Sequence, residues 1–233
     1  MKNYKRVALI GLDGSGKSAN INAMKQDIDY SDYNFMWVRW EPKLLKPAYW
    51  FLGKKVKSSK SQSIENISAK YHQKDTEEQK QMSAEYTAKT GLKGKIFKSP
   101  VVRTLWMFFA LLDYFFQFYA KTIKILIKKE NVIFDRFYLD LFVDQGINFG
   151  YSPEKIDSEV KKYQKLFPRI KQMIYLRVSP ETCYQRKDDI PNMDYLLRRY
   201  AIYEKLSQNP GWVIIDGEEP FDVVYLNIKK HIL

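Results

Sequence analysis

Gly11-Leu12-Asp13-Gly14-Ser15-Gly16-Lys17-Ser18 fits the pattern G-x-x-x-x-G-K-[S/T] at every specified position. Its surroundings are those the pattern needs. Arg6-Val7-Ala8-Leu9-Ile10 reads as a short buried strand, and Ser18 to Ile28 reads as a helix with Ile21, Met24 and Ile28 on one face. Between them a turn of glycines lets successive backbone N–H groups converge on phosphate oxygens, at the positive end of the helix dipole. Gly11, Asp13, Gly14, Ser15, Gly16, Lys17 and Ser18 are therefore expected to bind nucleotide phosphates. Lys17 would hold the β- and γ-phosphates and Ser18 a magnesium ion.

Outward from this loop, the 233 residues suit one α/β domain with an insertion. The single cysteine, Cys183, excludes an internal disulfide, and no charged-then-apolar leader precedes the first strand, so a cytoplasmic location is expected. The formal net charge of +12 implies attraction to anions, which include nucleotides, nucleic acid and acidic membrane surfaces.

Phe35-Met36-Trp37-Val38 reads as a second strand, stopped by Pro42. Arg39 and Glu41 then stand at the carboxyl end of a strand, where open parallel sheets bind ligands. An arginine there clamps phosphate, and a carboxylate there accepts a hydroxyl proton or holds magnesium-bound water. Residues 43–100 read as a basic insertion with mobile loops: Ile64, Ile67 and Tyr71 have helical spacing, whereas Lys89, Lys93, Lys95 and Lys98 surround Gly91 and Gly94. These lysines are expected to form a solvated face or a docking surface for anionic lipid or another anion.

Val101 to Lys129 reads as one helix of about 40 Å. Leu105 to Leu112 is apolar on all sides, but Asp113 interrupts the run. Asp113, Gln117, Lys121, Lys124 and Lys128 share one polar stripe, so a long core helix is expected rather than a membrane span. Its aromatic half calls for a cover: the insertion, a second subunit or a bilayer surface. Asn131-Val132-Ile133-Phe134 then reads as a buried strand that delivers Asp135 to the ligand edge, as the acid opposite Ser18 on magnesium, with Arg136 beside it to neutralise phosphate. A helix follows from Tyr138 with Asp140, Asp144 and Gln145 as its polar members. Ser152-Pro153 opens another helix, Gln172–Val178 is a fourth strand, and Ser179-Pro180-Glu181 caps a helix leading to Arg186-Lys187-Asp188-Asp189. Residues 184–193 are expected to fold over ATP as a lid. A helix at Tyr195–Leu206, a fifth strand at Trp212–Ile215 and a helix from Pro220 complete a five-stranded parallel sheet with helices on both faces, the three-layer P-loop arrangement.

Taken together, Gly11 to Ser18, Glu41-Pro42, Asp113, Asp135-Arg136-Phe137 with Gln145-Gly146 nine residues on, Ser179-Pro180-Glu181, Arg186 and Trp212 to Asp216 resemble the thymidylate kinase family of nucleoside monophosphate kinases. The resemblance covers nearly the whole chain outside the insertion. It implies that Asp13 reaches the acceptor's sugar hydroxyl, Arg136 grips the acceptor phosphate, Asp135 organises Mg2+ and Arg186 closes on the transferred phosphoryl. Arg39, Asp113, Gln117 and Asp140 complete the expected substrate-binding set, and Lys17, Asp135, Arg136, Arg186 and Glu41 the catalytic one. The chain departs from the family on the acceptor side. Trp40 stands where arginine precedes Glu-Pro, Lys43-Leu44 follow in place of two glycines, Tyr114 replaces an arginine, and Leu139-Asp140-Leu141 replace small hydroxyl residues.

The resulting expectation is an ATP- and Mg2+-dependent kinase acting on a small phosphoryl acceptor, dTMP first. The alternative, from the basic loops and the aromatic helix, is a P-loop kinase at the inner membrane face that phosphorylates a lipid alcohol or glycan precursor; Glu-Pro also resembles deoxynucleoside kinases, where the glutamate is a base for a hydroxyl, so Glu41 would then serve an alcohol. A homodimer through the long helix is expected from the resemblance. No nucleic-acid partner is expected, because neither a guanine-recognition Asn-Lys-x-Asp nor an aromatic-basic RNA-binding pattern is present.

Overall fold

The computed structural model describes residues 4–43, 45–46 and 77–233. Five strands, β1 (Arg6–Gly11), β2 (Tyr33–Trp37), β3 (Asn131–Asp135), β4 (Gln172–Arg177) and β5 (Trp212–Asp216), pair in the order β2-β3-β1-β4-β5. All four pairings are parallel. The helices are α1 (Lys17–Gln26), α2 (Glu77–Ile96), α3 (Pro100–Lys128), α4 (Tyr138–Phe149), α5 (Pro153–Tyr163), α6 (Pro180–Arg186), α7 (Met193–Leu206) and α8 (Phe221–Ile232). The expected α/β class and five-stranded parallel sheet are thus present.

Alternation along the strands divides the core into two apolar layers. Val7, Leu9, Ile133, Ile174 and Leu176 pack with Ile21 and Met24 of α1 and Val224 and Ile228 of α8. Ala8, Ile10, Val132, Phe134 and Tyr175 face the other way, onto Ala110, Tyr114 and Phe118 of α3 and residues of α4 and α7. Each central strand is therefore buried on both sides, which is why it reads as a nearly continuous apolar run. The chain leaves β1 for β2 on one side and later reaches β4 on the other. The carboxyl edge of β1 is thus a topological switch point, and it carries the glycine loop.

Two expectations change. Gly91 and Gly94, read as loop glycines, lie inside α2, with open space where a side chain would be. Packing outweighs their weak helix propensity. Lys93 of α2 donates to Asn148 Oδ1 of α4 at 3.1 Å, and Phe97 just beyond α2 rests edge-on against Trp106 and Phe149. The second change concerns α3, expected as a core helix. It buries Ala110, Leu111, Tyr114 and Phe118, but Leu105, Phe108, Phe109, Phe116, Ile123 and Ile127 are exposed. The helical reading around Ile64, Ile67 and Tyr71 lies outside the described residues, as does most of the expected mobile insertion.

Candidate active site

The glycine loop folds as its pattern requires. Gly14 and Gly16 take left-handed backbone conformations, φ 90° and 89°, which glycine adopts without strain. At Gly14 a Cβ would also stand 2.5 Å from the Cys183 carbonyl oxygen, because α6 packs directly on the loop. α1 begins at Lys17, so its first N–H groups point at the loop's mouth. The buried Lys17 ammonium donates to Gly11 O at 2.8 Å, Leu12 O at 2.5 Å and Ser15 Oγ at 3.3 Å. Burial, then the Arg136 guanidinium, pull its pKa down to about 8, against the attraction of Asp13, Asp140 and Asp135.

Asp135 ends β3 in register with Leu9 of β1, which places its carboxylate beside the loop. Burial pushes that carboxyl up, while Lys17 and Arg136 oppose the rise. Arg136 next to it has φ 66°, a left-handed conformation unusual for arginine. Its guanidinium pairs with Asp13 and lies 3.6 Å from Asp140 Oδ1. Burial opposes its charge, but Asp140 and Asp13 outweigh that and hold it more firmly protonated. Tyr195 O–H donates to Asp13 Oδ2 at 2.6 Å, and Tyr203 O–H donates to Asp140. Burial alone would raise the Asp13 carboxyl, yet Arg136 and Lys17, with the Tyr195 hydrogen bond, hold it well below the usual range. Both Asp13 oxygens are therefore engaged within the chain.

The glycine loop, Asp135, Arg136 and Tyr195 border a cleft of about 630 Å3, a volume suited to a small-molecule ligand. Asp13, Gly14, Gly16, Lys17 and Ser18 line one side, Asp135 and Arg136 its base, Trp37 and Arg39 the β2 end. Arg186 and the segment after α6, through Lys187, Asp189, Ile190 and Pro191, form the remaining wall. Arg186 Nη1 donates to Gly217 O at 3.0 Å, and Lys187 pairs with Asp189 at 3.0 Å.

Glu41, Asp113, Gln117 and Asp140 do not line this cleft among the described residues. Asp113 is buried and accepts from the Lys43 N–H at 2.7 Å, from Trp40 Nε1 at 3.4 Å and from Gln117 Nε2 at 2.8 Å. Gln117 also donates to the Glu41 carbonyl at 2.7 Å. The pair expected to bind the acceptor instead braces the backbone around Glu41-Pro42. Tyr114, where the resemblance leads one to expect arginine, is buried and donates to Val38 O at 2.8 Å.

Three contributors escaped the sequence reading as site residues. Tyr195 reaches the loop, Arg199 lies over the Tyr195 ring at 3.7 Å, and Asp144 accepts from Arg199 at 2.5 Å while standing 3.9 Å from Arg39. The i, i+4 spacing of Tyr195 and Arg199 on α7, and of Asp140 and Asp144 on α4, was the signal available.

Among the described residues no three His, Cys, Asp or Glu side chains gather as a metal cage. The Ser18 hydroxyl and the Asp135 carboxylate nevertheless fit Mg2+. That ion takes oxygen donors, keeps several waters, and is usually held by one or two protein groups plus substrate phosphates.

No family profile matches the chain, and no curated protein matches it. Solved structures do. One is deoxyadenosine kinase from M. mycoides with bound dATP: 17% identity, a TM-score of 0.52, covering 97% of this chain and 98% of that one. The same kinase with dCMP and a flexible dCDP bound gives 16% identity and a TM-score of 0.51 over 97% of both chains. At that identity the likeness speaks to architecture alone, and the fold shared with these structures is the five-stranded parallel sheet between two helical layers.

Proposed function

We propose that this chain is an Mg2+- and ATP-dependent phosphotransferase that moves the γ-phosphoryl of ATP to a nucleoside-type acceptor, with dTMP the first acceptor to test. The observation that carries this reading is the convergence of Lys17, Ser18, Asp135, Arg136, Arg39 and Arg186 on one cleft at the switch point of the sheet. The fold shared with deoxyadenosine kinases supports it.

In this reading the loop N–H groups and Lys17 bind the β- and γ-phosphates, and Lys17 exchanges its carbonyl partners for phosphate oxygens. Ser18 and Asp135 would hold Mg2+, which would supply positive charge against that of the phosphates. Arg186, exposed at the end of α6, swings from the Gly217 carbonyl onto the phosphoryl in transit, with residues 184–193 as the closing lid. The Arg136–Asp13–Tyr195 contacts hold the loop and the first turn of α7 in fixed relation. Such catalysis rests on positioning and charge neutralisation.

A second reading has a specific observation behind it. Glu41 is exposed on a segment whose backbone Asp113 and Gln117 brace, and the kinase of like fold is named for a nucleoside rather than a nucleotide; in this reading Glu41 would be the base for a hydroxyl. ADP release from Mg·ATP, measured with dTMP, the other monophosphates, nucleosides, and lipid or sugar alcohols, separates the readings, with Lys17→Ala as blank. Lys17→Ala should lower turnover at least about 100-fold. Stimulation by no acceptor, or wild-type turnover in Lys17→Ala, refutes the kinase reading.

The exposed apolar face of α3 supports a homodimer, with a peripheral inner-membrane contact as the alternative for a cytoplasmic enzyme. Equilibrium sedimentation at twice the chain mass, without salt-sensitive binding to anionic liposomes, decides for the dimer.

A further inference from the structure

A second cavity, of about 190 Å3, opens where α3, α4 and α5 meet, and it shares no lining residue with the candidate active site. Its size restricts what can enter. A cavity of roughly 150 Å3 holds a single aromatic ring, whereas drug-sized ligands occupy about 300–1,000 Å3. A nucleotide is therefore too large, and one ring with a short substituent fits.

The interior is apolar and largely aromatic. Met107 of α3, Phe142 and Phe149 of α4 and Ile156 of α5 line it. Gly146 of α4 lets α5 pack closely there, since a Cβ would stand 2.5 Å from the Ile156 side chain. Tyr163 stacks on Phe142 at 5.9 Å between ring centroids, and Tyr151 meets Phe149 edge-on at 5.4 Å, so both tyrosine rings extend the same wall.

The charged members are mostly cations. Arg103, Lys155 and Lys162 line the cavity with one carboxylate, Glu159, which already pairs with Lys155 at 2.8 Å. Arg103 comes from α3 and Lys155 from α5, yet both lie over the Tyr151 ring, 5.5 and 5.9 Å from its centroid. Like charges drawn to one ring repel each other, and a nearby anion offsets that repulsion. The Arg103 Nε is also buried without a hydrogen-bond partner among the described residues. A buried donor left unpaired is costly, and an acceptor oxygen on a ligand relieves that cost.

We infer that this cavity is a second binding site, one that takes a small monocarboxylic acid carrying one aromatic ring. The ring enters among Met107, Phe142 and Phe149, and the carboxylate meets Arg103 beside Tyr151. An aromatic amine of the same size is disfavoured, because it brings a cation to three others. The assignment does not depend on the phosphotransferase reading, since no residue of the glycine-loop cleft takes part.

The test uses the full chain, with phenylacetate as the acid and phenylacetamide as its neutral isostere. Binding is followed by calorimetry and by the Met107 methyl resonance in protein carrying labelled methionine, assigned with Met107→Leu. Wild type should bind the acid with a Kd below about 1 mM and shift the Met107 resonance. The amide should bind at least about tenfold more weakly, the difference that one hydrogen bond to a charged group makes. Arg103→Gln should weaken the acid by the same factor and leave the amide unchanged, and Arg103→Lys should restore most of the loss. Phe108→Ser, on the exposed face of α3, should bind both probes as wild type does. Thermal melting checks that each variant is folded, and the comparison of acid with amide in wild type decides without any variant. A Met107 resonance unmoved at about 10 mM acid overturns the inference, as does equal affinity for acid and amide. Wild-type acid affinity in folded Arg103→Gln overturns it too. Loss of binding in Phe108→Ser alone also overturns it, by assigning the acid to the exposed apolar face.

Discussion

Raising the pH from 7 to 9 should strengthen the fold while weakening nucleotide binding, two opposite slopes from one ammonium. Lys17 is buried and its pKa is pulled down from 10.5 to about 8, first by burial and then by Arg136. Between those values the unfolded chain holds a proton that the folded chain has released, so stability rises with pH. From pH 8 to 9 the gain is about 1 kcal/mol, set by 1.36 kcal/mol per unit and the half-titrated starting point. The window closes above pH 9 because burial pushes the Cys183 thiol up to about 12 from 9.0, and its contribution has the opposite sign. Phosphate oxygens, by contrast, require the ammonium. Affinity for a non-hydrolysable ATP analogue should therefore fall toward tenfold per unit above pH 8, with uptake of up to one proton on binding. Urea denaturation of wild type and Lys17→Met at pH 7, 8, 8.5 and 9 reads the first slope. Calorimetry in buffers of differing ionisation heat reads the second. Identical stability slopes in the two proteins, or pH-independent affinity with no proton uptake, refute the reasoning.

Gly14→Ala combines a φ of 90° with a Cβ 2.5 Å from the Cys183 carbonyl, and should cost at least about 2 kcal/mol in denaturation together with most nucleotide binding. Asp113→Ala leaves the Lys43 N–H and the Trp40 indole N–H without their shared acceptor, a loss of about 2 kcal/mol seen as a lower urea midpoint. Tyr195→Phe removes the 2.6 Å hydrogen bond to Asp13, which is worth about 1.5 kcal/mol as a bond to a charged group. Because the Asp13 carboxyl is held well below its ordinary 3.8, its stabilisation is present at neutral pH and is lost as pH falls through the depressed value. The Tyr195→Phe deficit should accordingly be full at pH 7 and shrink in acid.

The sheet was legible because its three central strands are buried between two helical layers, and their apolar runs end at residues with visible chemistry, such as Asp135. The glycine loop was legible because its geometry demands glycine at fixed offsets. α2 was not, since lysines and two glycines blur its periodicity and contacts to α4 and α7 hold it in place. For Asp113 the residue type was informative but its task was not: a carboxylate in a long helix serves a ligand or a neighbouring turn equally well, and only the position of Lys43 decides. The grouping of Arg39, Asp144 and Arg199 joins three distant segments and leaves no local pattern.

Arg136 bears on how this protein can be engineered. Its backbone sits at φ 66°, where a glycine would relax and an arginine is strained by roughly 1–3 kcal/mol, yet its side chain ties Asp13 and Asp140 together beside Lys17. Replacing it with glycine would relieve that strain but leave the largely buried Asp13 and Asp140 carboxylates without their guanidinium, a loss of about 3–5 kcal/mol that outweighs the relief. A selection for heat resistance therefore retains this residue, and with it the floor of the cleft.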